Sequence, residues 1–86
     1  MPYITQEQRR DLASYLKDIL ELVPTLTKGE INYIITRIVA TKYAVGSYDW
    51  RSEGASVFQD AHDEFYRRVI APYEDKKKDE NGEVYD

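Results

Sequence analysis

The side chains with the types needed for catalysis are concentrated around one position. His62 is the only histidine, and Asp60, Asp63 and Glu64 lie beside it, so a metal site or an acid–base pair is conceivable there. Two ligands at helical spacing do not make a metal site, and the chain offers no second histidine. Polar residues of a surface helix face solvent. We therefore expect an exposed His62, and the sequence predicts no catalytic residue, no metal ligand and no cofactor.

An arginine–tyrosine cluster follows directly. Tyr66, Arg67 and Arg68 are consecutive, and Tyr73 lies close behind them. Guanidinium groups make bidentate contacts with phosphate, and tyrosine rings offer stacking surfaces, so the cluster could bind a nucleotide or a cyclic nucleotide. The interpretation that we favour is simpler. The arginines pair with Glu64 or with the acidic C-terminal residues, and their stems lie over the tyrosine rings.

A second polar group lies on one side of the second predicted helix and comprises Asn32, Tyr33, Thr36 and Arg37. These residues could form a polar layer at a subunit interface, where a buried asparagine sets the register. Alternatively, they line a ligand pocket in which Arg37 contacts an anion. The sequence leaves both hypotheses open.

Three amphipathic segments position these groups. Thr5 with Gln8 and Thr27 with Glu30 form capping-box patterns, and Ser47 can cap a third helix. Apolar residues at spacings of three and four, typical of amphipathic helices, follow each cap: Leu12, Tyr15, Leu16, Ile19, Leu22 and Val23; Ile31, Ile34, Ile35, Ile38 and Val39; Gly54, Val57, Phe58, Ala61, Phe65 and Val69. Isoleucine favours strands by propensity, but the spacing and the cap predict that the second segment is a helix.

Prolines and glycines delimit the segments. Pro24 is predicted to end the first helix, because a proline disfavours the helical conformation of the residue before it. Gly46 suits the end of the second helix, and Gly54 predicts a close approach of two helices. The third helix is predicted over residues 48–70, where Pro72 ends or kinks it. Since proline is also favoured in a first helical turn, PYEDKKK can begin a short fourth helix.

These segments predict an all-α fold with two parts. Residues 1–71 are expected to form a small three-helix antiparallel bundle, and residues 72–86 a charged C-terminal tail with six acidic residues and three lysines. We expect the tail to pack back on its own or a neighbouring subunit, with Tyr73 and Tyr85 as anchors. A solvated tail is the alternative.

Composition narrows the class of protein further. The chain has 86 residues and no cysteine, which excludes disulfides, zinc–thiolate sites and thiol nucleophiles. No apolar run approaches the ~20 residues of a membrane span and no signal-peptide pattern is present, so we expect a cytoplasmic protein without membrane contact. The net charge of −4 disfavours nucleic-acid binding, which needs basic residues at the phosphates. The wide apolar stripes and 11 aromatic residues (8 Tyr, 2 Phe, 1 Trp) predict a homodimer or a higher closed oligomer.

The C-terminal block carries a resemblance to a known family. The segment EFYRRVIAPYEDKKKDENGEVY, Glu64 to Tyr85, resembles the signature EFYRRVxxPYEDKKxxENGDVY of a family of small uncharacterised proteins from tailed bacteriophages and bacterial genomes. The opening MPYITQEQR is also similar to sequences of that family. The segment GEINYIITR at residues 29–37 resembles GELNYAITR, which the family tends to have at the corresponding position. The resemblance implies a phage or prophage origin and a complete protein. It assigns no catalytic residue.

Three functional hypotheses follow. The first is a non-enzymatic, self-assembling phage or prophage accessory protein, with a counter-defence role in which it sequesters a nucleotide signal in an intersubunit pocket or binds a host defence protein. For sequestration, Tyr66, Arg67, Arg68 and Arg37 would contact the ligand. The second is a structural or assembly accessory protein that acts through protein–protein contacts. Metal-dependent hydrolysis at His62 ranks below both.

Overall fold

The computed structural model describes residues 2–85, and the chain is a small all-α helical bundle, which confirms the predicted fold class. Helix α1 spans Gln6–Leu22, and a 3₁₀ turn at Val23–Thr25 connects it to helix α2, which spans Lys28–Tyr43. No strand occurs within the described range. The isoleucine-rich segment is therefore helical, as its spacing predicts.

From Tyr48 to Asn81 the chain is continuously helical. Helix α3 spans Tyr48–Phe65, a π-helical turn at Tyr66–Ile70 (the π-turn) follows, and helix α4 spans Ala71–Asn81. Pro72 lies in the first turn of α4, so the short fourth helix suggested by the sequence is present. The N–H of Ala71 bonds to the carbonyl of Tyr66, five residues back. This wider turn accommodates a proline, which lacks an N–H and whose ring would clash with a carbonyl four residues back.

The helix starts are fixed by the predicted caps. Thr5 Oγ1 accepts from the backbone N–H of Gln8 at 3.1 Å, and the Gln8 side chain accepts from the Thr5 N–H at 2.9 Å. Thr27 and Glu30 repeat this reciprocal pair at 3.2 and 2.8 Å. Ser47 Oγ accepts from Trp50 N at 3.2 Å at the start of α3. Each cap satisfies backbone donors that the helix itself leaves unbonded.

The best-packed part of the molecule is the corner between α2 and α3. Val39 is 8% exposed, and Gly54 is buried opposite Tyr43. The Tyr43 and Trp50 rings lie 4.7 Å apart at 44°, and the indole N–H of Trp50 donates to the Lys42 carbonyl at 3.1 Å. The close helix approach predicted from Gly54 is thus present. The Trp50 bond also satisfies a carbonyl at the C-terminal end of α2.

Most of the apolar surface outside this corner is exposed. Val39 is the one buried apolar side chain in the part of the chain that the structure describes. Leu16 of α1 is 47% exposed and Phe65 of α3 is 57% exposed. The radius of gyration is 16.9 Å, whereas a globular chain of this length has about 12 Å. The single chain therefore carries helix faces that it does not itself cover.

Candidate functional site

Arg67 makes hydrogen bonds to the side chains of two residues. Its Nη2 donates to the Tyr3 hydroxyl at 2.7 Å and to Glu64 Oε2 at 3.1 Å. The Tyr3 hydroxyl donates in turn to Glu64 Oε1. Glu64 and Arg67 are three residues apart on one helical face, and the extended N-terminal segment brings Tyr3 onto them. We call these three residues the Tyr3–Glu64–Arg67 triad.

The hydrogen bonds and opposite charges of the triad favour the ionised forms of Glu64 and Arg67. The hydrogen bond from Tyr3 is the main cause that lowers the pKa of the Glu64 carboxyl, and burial opposes it. The hydrogen bond and charge of Arg67 and the charge of Arg68 lower this pKa further. The Glu64 carboxylate in turn raises the pKa of Arg67. The favoured interpretation from the sequence, in which an arginine of the cluster pairs with Glu64, is confirmed for Arg67. An anionic ligand at Arg67 would have to compete with this carboxylate.

Tyr66 and Arg68, the other polar residues of the π-turn, differ from Arg67 in their contacts. The Tyr66 ring stacks on the His62 ring, with centroids 6.2 Å apart and an interplanar angle of 24°. Hydrogen bonding to the Glu74 carboxylate and the charge of that group raise the pKa of Tyr66. Arg68 makes no ion pair with another of residues 2–85. Tyr66, Arg67 and Arg68 are thus neighbours in sequence whose side chains make different contacts.

Tyr73 and the end of the chain form a separate surface. Lys77 Nζ lies 5.6 Å from the centroid of the Tyr73 ring, which is 59% exposed. A shallow groove of about 300 Å³ runs beside this ring towards Asn81 and Val84. A lysine cation therefore already lies over the ring. The role of Tyr73 as a second stacking surface for a nucleotide stays a prediction.

The polar residues of α2 lie apart from the arginine cluster. Asn32, Tyr33 and Arg37 are all exposed on α2. Within residues 2–85, no hydrogen bond or ion pair joins them to the π-turn or to the triad. Arg37 and Arg68 lie on different elements, α2 and the π-turn, and these two elements do not pack closely on each other.

His62 faces solvent, as predicted, with a side chain that is 68% exposed. Its Nδ1 lies 3.2 Å from Asp63 Oδ1, and Gln59 Nε2 donates to the same oxygen at 2.9 Å. Across the described residues, no three His, Asp or Glu side chains converge as a metal site requires.

Sequence reasoning missed Tyr3 as a member of the triad. Tyr3 and Arg67 are 64 residues apart in the chain, and no local pattern of spacing encodes a contact over that distance. The only available signal is the Pro2-Tyr3 punctuation of the extended N-terminus. The partner carboxylate, Glu64, could be named because it lies one helical turn from Arg67.

Two apolar surfaces complete the candidate sites. The first is a groove of about 370 Å³ between α2 and α3, the α2–α3 groove, whose lining includes Val39, Ala40, Tyr43, Gly54, Ala55 and Phe58. The second is the apolar face of α1, where Ile4, Leu12, Leu16 and Leu20 border a shallow depression of about 270 Å³. Both are lined mainly by apolar atoms, which suits protein contacts better than recognition of a charged ligand.

The fold and these surfaces define a small all-α protein with open apolar helix faces and a matched polar triad at its N-terminus. The chain belongs to the family described as domain of unknown function DUF6899, which matches residues 1–84. No curated protein matches the chain, and no solved structure does. None of the helices in the described range is both long and apolar enough to span a membrane.

Proposed function

We propose that this chain is a non-enzymatic binding protein that works as a closed homo-oligomer and acts through protein–protein contacts. The observation that carries the proposal is the exposure of the apolar helix faces, since one apolar side chain, Val39, is buried in the whole described range. A folded domain needs a buried core to offset its loss of conformational entropy. A second copy would provide the missing core.

The size of the exposed surface supports this proposal. A globular protein of 10.1 kDa exposes about 5,300 Å² by the relation between mass and area. This chain exposes 7852 Å², so the excess is roughly 2,500 Å². Obligate homodimers bury roughly 2,000–5,000 Å² in total over both partners. The excess on each chain is therefore of the size that such an interface covers.

The polar chemistry favours a protein partner over a nucleotide. Arg67, the arginine best placed for an anion, is already matched by Glu64 and Tyr3. The remaining candidates, Arg68 and Arg37, lie on different elements. A phosphate-binding site needs several donors that converge on one point, and one chain does not bring them together.

Sequestration of a nucleotide is the second candidate function, and a shared pocket between subunits is where it would occur. Arg68 makes no ion pair within residues 2–85, and it follows directly after Tyr66 and Arg67. In an oligomer, Arg68 of one copy and Arg37 of another could face the same ligand.

The biological setting is also part of the proposal. The resemblance implies a phage or prophage origin and a counter-defence role, and we propose a cytoplasmic location. A structural or assembly accessory role fits the same apolar faces.

Native mass spectrometry of gently purified protein tests the proposal. A closed oligomer of bare chains supports the protein-contact function. A closed oligomer that carries extra mass in nucleotide units would instead support sequestration. A monomer at all concentrations, folded by circular dichroism, contradicts self-assembly.

A further inference from the structure

We infer that α1 of one copy occupies the α2–α3 groove of a second copy, and that the exchange is reciprocal. This inference rests on the proposed self-assembly and names the faces that meet. It concerns two surfaces on the same chain that the chain leaves open: the apolar face of α1 and the α2–α3 groove.

Helix α1 is free to pack on another molecule. Leu12, Leu16 and Ile19 lie on one face at positions i, i+4 and i+7, and all three are exposed. No hydrogen bond or ion pair in residues 2–85 joins α1 to α2, α3 or α4. Its contacts with other elements are mainly those with the 3₁₀ turn that directly continues it along the chain. An amphipathic helix gains most of its stability when such a face is covered.

The α2–α3 groove suits a helix with protruding leucines. Its lining combines the small residues Ala40, Gly54 and Ala55 with the aromatic side chains of Tyr43 and Phe58. Small residues let a helix approach closely, and large side chains beside them bracket its ridge, as in ridges-into-grooves packing. Leu16 and its neighbours on α1 have the size and spacing of such a ridge.

The connection between α1 and α2 favours exchange between copies. The 3₁₀ turn contains Pro24 and is held by hydrogen bonds from Thr25 Oγ1 to the Leu22 carbonyl at 2.8 Å and from Leu26 N to the Val23 carbonyl at 3.0 Å. The connection is short, and no α1 residue lines the α2–α3 groove of its own chain. Short hinges that prevent a helix from folding back are a known route to domain swapping.

Reciprocal exchange also accounts for the excess surface that each chain exposes. In a two-fold dimer, α1 of each chain would fill the α2–α3 groove of the other. Both α1 faces and both grooves would then be covered, and none would remain exposed for a third chain. The excess of roughly 2,500 Å² per chain exceeds the ~800 Å² per partner of a standard interface. A second copy therefore offers enough surface, and its amphipathic α1 is present at the same concentration as the groove.

The absence of cysteine from the chain makes crosslinking a clean test. We would co-express a Leu16→Cys chain with a differently tagged Ala55→Cys chain, purify complexes that carry both tags, and treat them with a short bis-maleimide. The matched control replaces Leu16→Cys by Ser14→Cys, since Ser14 lies two residues away and thus on the opposite face of α1. Leu12→Cys with Ala40→Cys repeats the test in case one variant does not fold.

The inference predicts a Leu16→Cys to Ala55→Cys heterodimer at least tenfold more abundant than the Ser14→Cys to Ala55→Cys product. In a separate sample of Leu16→Cys chains alone, crosslinking as efficient as that of the Leu16→Cys to Ala55→Cys pair would overturn it, because α1 would then pair with α1. An intrachain crosslink in a chain that carries both cysteines would also overturn it, because α1 would then fold onto its own groove. A closed oligomer without the heterodimer refutes the inference alone, whereas a monomer by light scattering refutes the proposed self-assembly as well.

Discussion

Gly54 of α3 lies directly against Tyr43 of α2: a Cβ atom at position 54 would be 2.6 Å from the Tyr43 Cβ and 2.8 Å from its Cγ. Real Cβ atoms do not approach this closely, so any side chain at position 54 must push the two helices apart. Both residues line the α2–α3 groove and belong to the best-packed part of the chain. It explains why a helix tolerates glycine at an interior position, where glycine costs about 1 kcal/mol relative to alanine.

The first prediction concerns this contact. Gly54→Ala is expected to lower the free energy of unfolding by about 1–3 kcal/mol, because the clash outweighs the gain in helix propensity. Gly29→Ala is the matched control, since the nearest atom to a Cβ there is Thr27 Oγ1 at 3.9 Å, and it should be neutral or stabilising. Urea denaturation followed by Trp50 fluorescence measures both. Equal stabilisation by the two substitutions would refute the close packing.

The second prediction concerns the cap of α2. Thr27→Ala removes the hydroxyl that accepts from Glu30 N at 3.2 Å and should cost about 1 kcal/mol. Thr41→Ala removes a hydroxyl that bonds back to the Arg37 carbonyl at 2.6 Å within the same helix. Because that bond competes with the helix's own hydrogen bonding, its loss should be near neutral. Thermal unfolding of both variants by circular dichroism tests the difference.

The third prediction concerns pH. Because Tyr3 and Arg67 lower the pKa of Glu64 in the folded chain, the stability that Glu64 contributes is present above its unfolded pKa and is lost as the pH falls through its lower folded pKa. Tyr3→Phe should raise the pKa of Glu64 towards its ordinary value and reduce this acid-side contribution. Carboxyl carbon NMR titration of Glu64 measures the change. Tyr15→Phe on the exposed face of α1 is the control, and an equal response in both variants would contradict the Tyr3 contact.

The fourth prediction tests nucleotide sequestration. If a nucleotide signal binds between subunits, Arg68→Ala abolishes that binding and leaves the melting temperature nearly unchanged, because Arg68 makes no ion pair within residues 2–85. Arg67→Ala should lower the melting temperature instead, since it breaks the triad. Isothermal titration with cyclic nucleotides and a thermal melt of each variant provide the comparison. Unaltered binding by Arg68→Ala would eliminate this version of the function.

Local features of this fold could be predicted from the sequence because they depend on neighbours in the chain. The caps at Thr5, Thr27 and Ser47 are such features, as is the exposure of His62. Gly54 also predicted its close approach, since a glycine inside a helix needs a packing reason. These inferences use spacings of three or four residues, which a helix converts directly into contacts.

Contacts between distant segments could not be predicted in the same way. Tyr3 meets Glu64 and Arg67 because the N-terminal segment crosses α3, and nothing in the spacing of Tyr3 indicates that path. The π-turn was also missed. The sequence indicated that Pro72 would end or kink the third helix, or begin a short fourth one, whereas one wider turn lets the helix continue through it. Which helix covers the exposed Leu16 is a question of assembly, and a single sequence carries no direct signal for it.

Sedimentation equilibrium of three proteins tests the central claim most directly: the natural chain, Leu16→Glu and Ser14→Glu. Leu16 is 47% exposed in the single chain, so a charge there should do little harm unless another copy covers it. The account predicts a closed oligomer for the natural chain and for Ser14→Glu, and a monomer for Leu16→Glu. A natural chain that stays monomeric at high concentration, with cooperative unfolding, would contradict it.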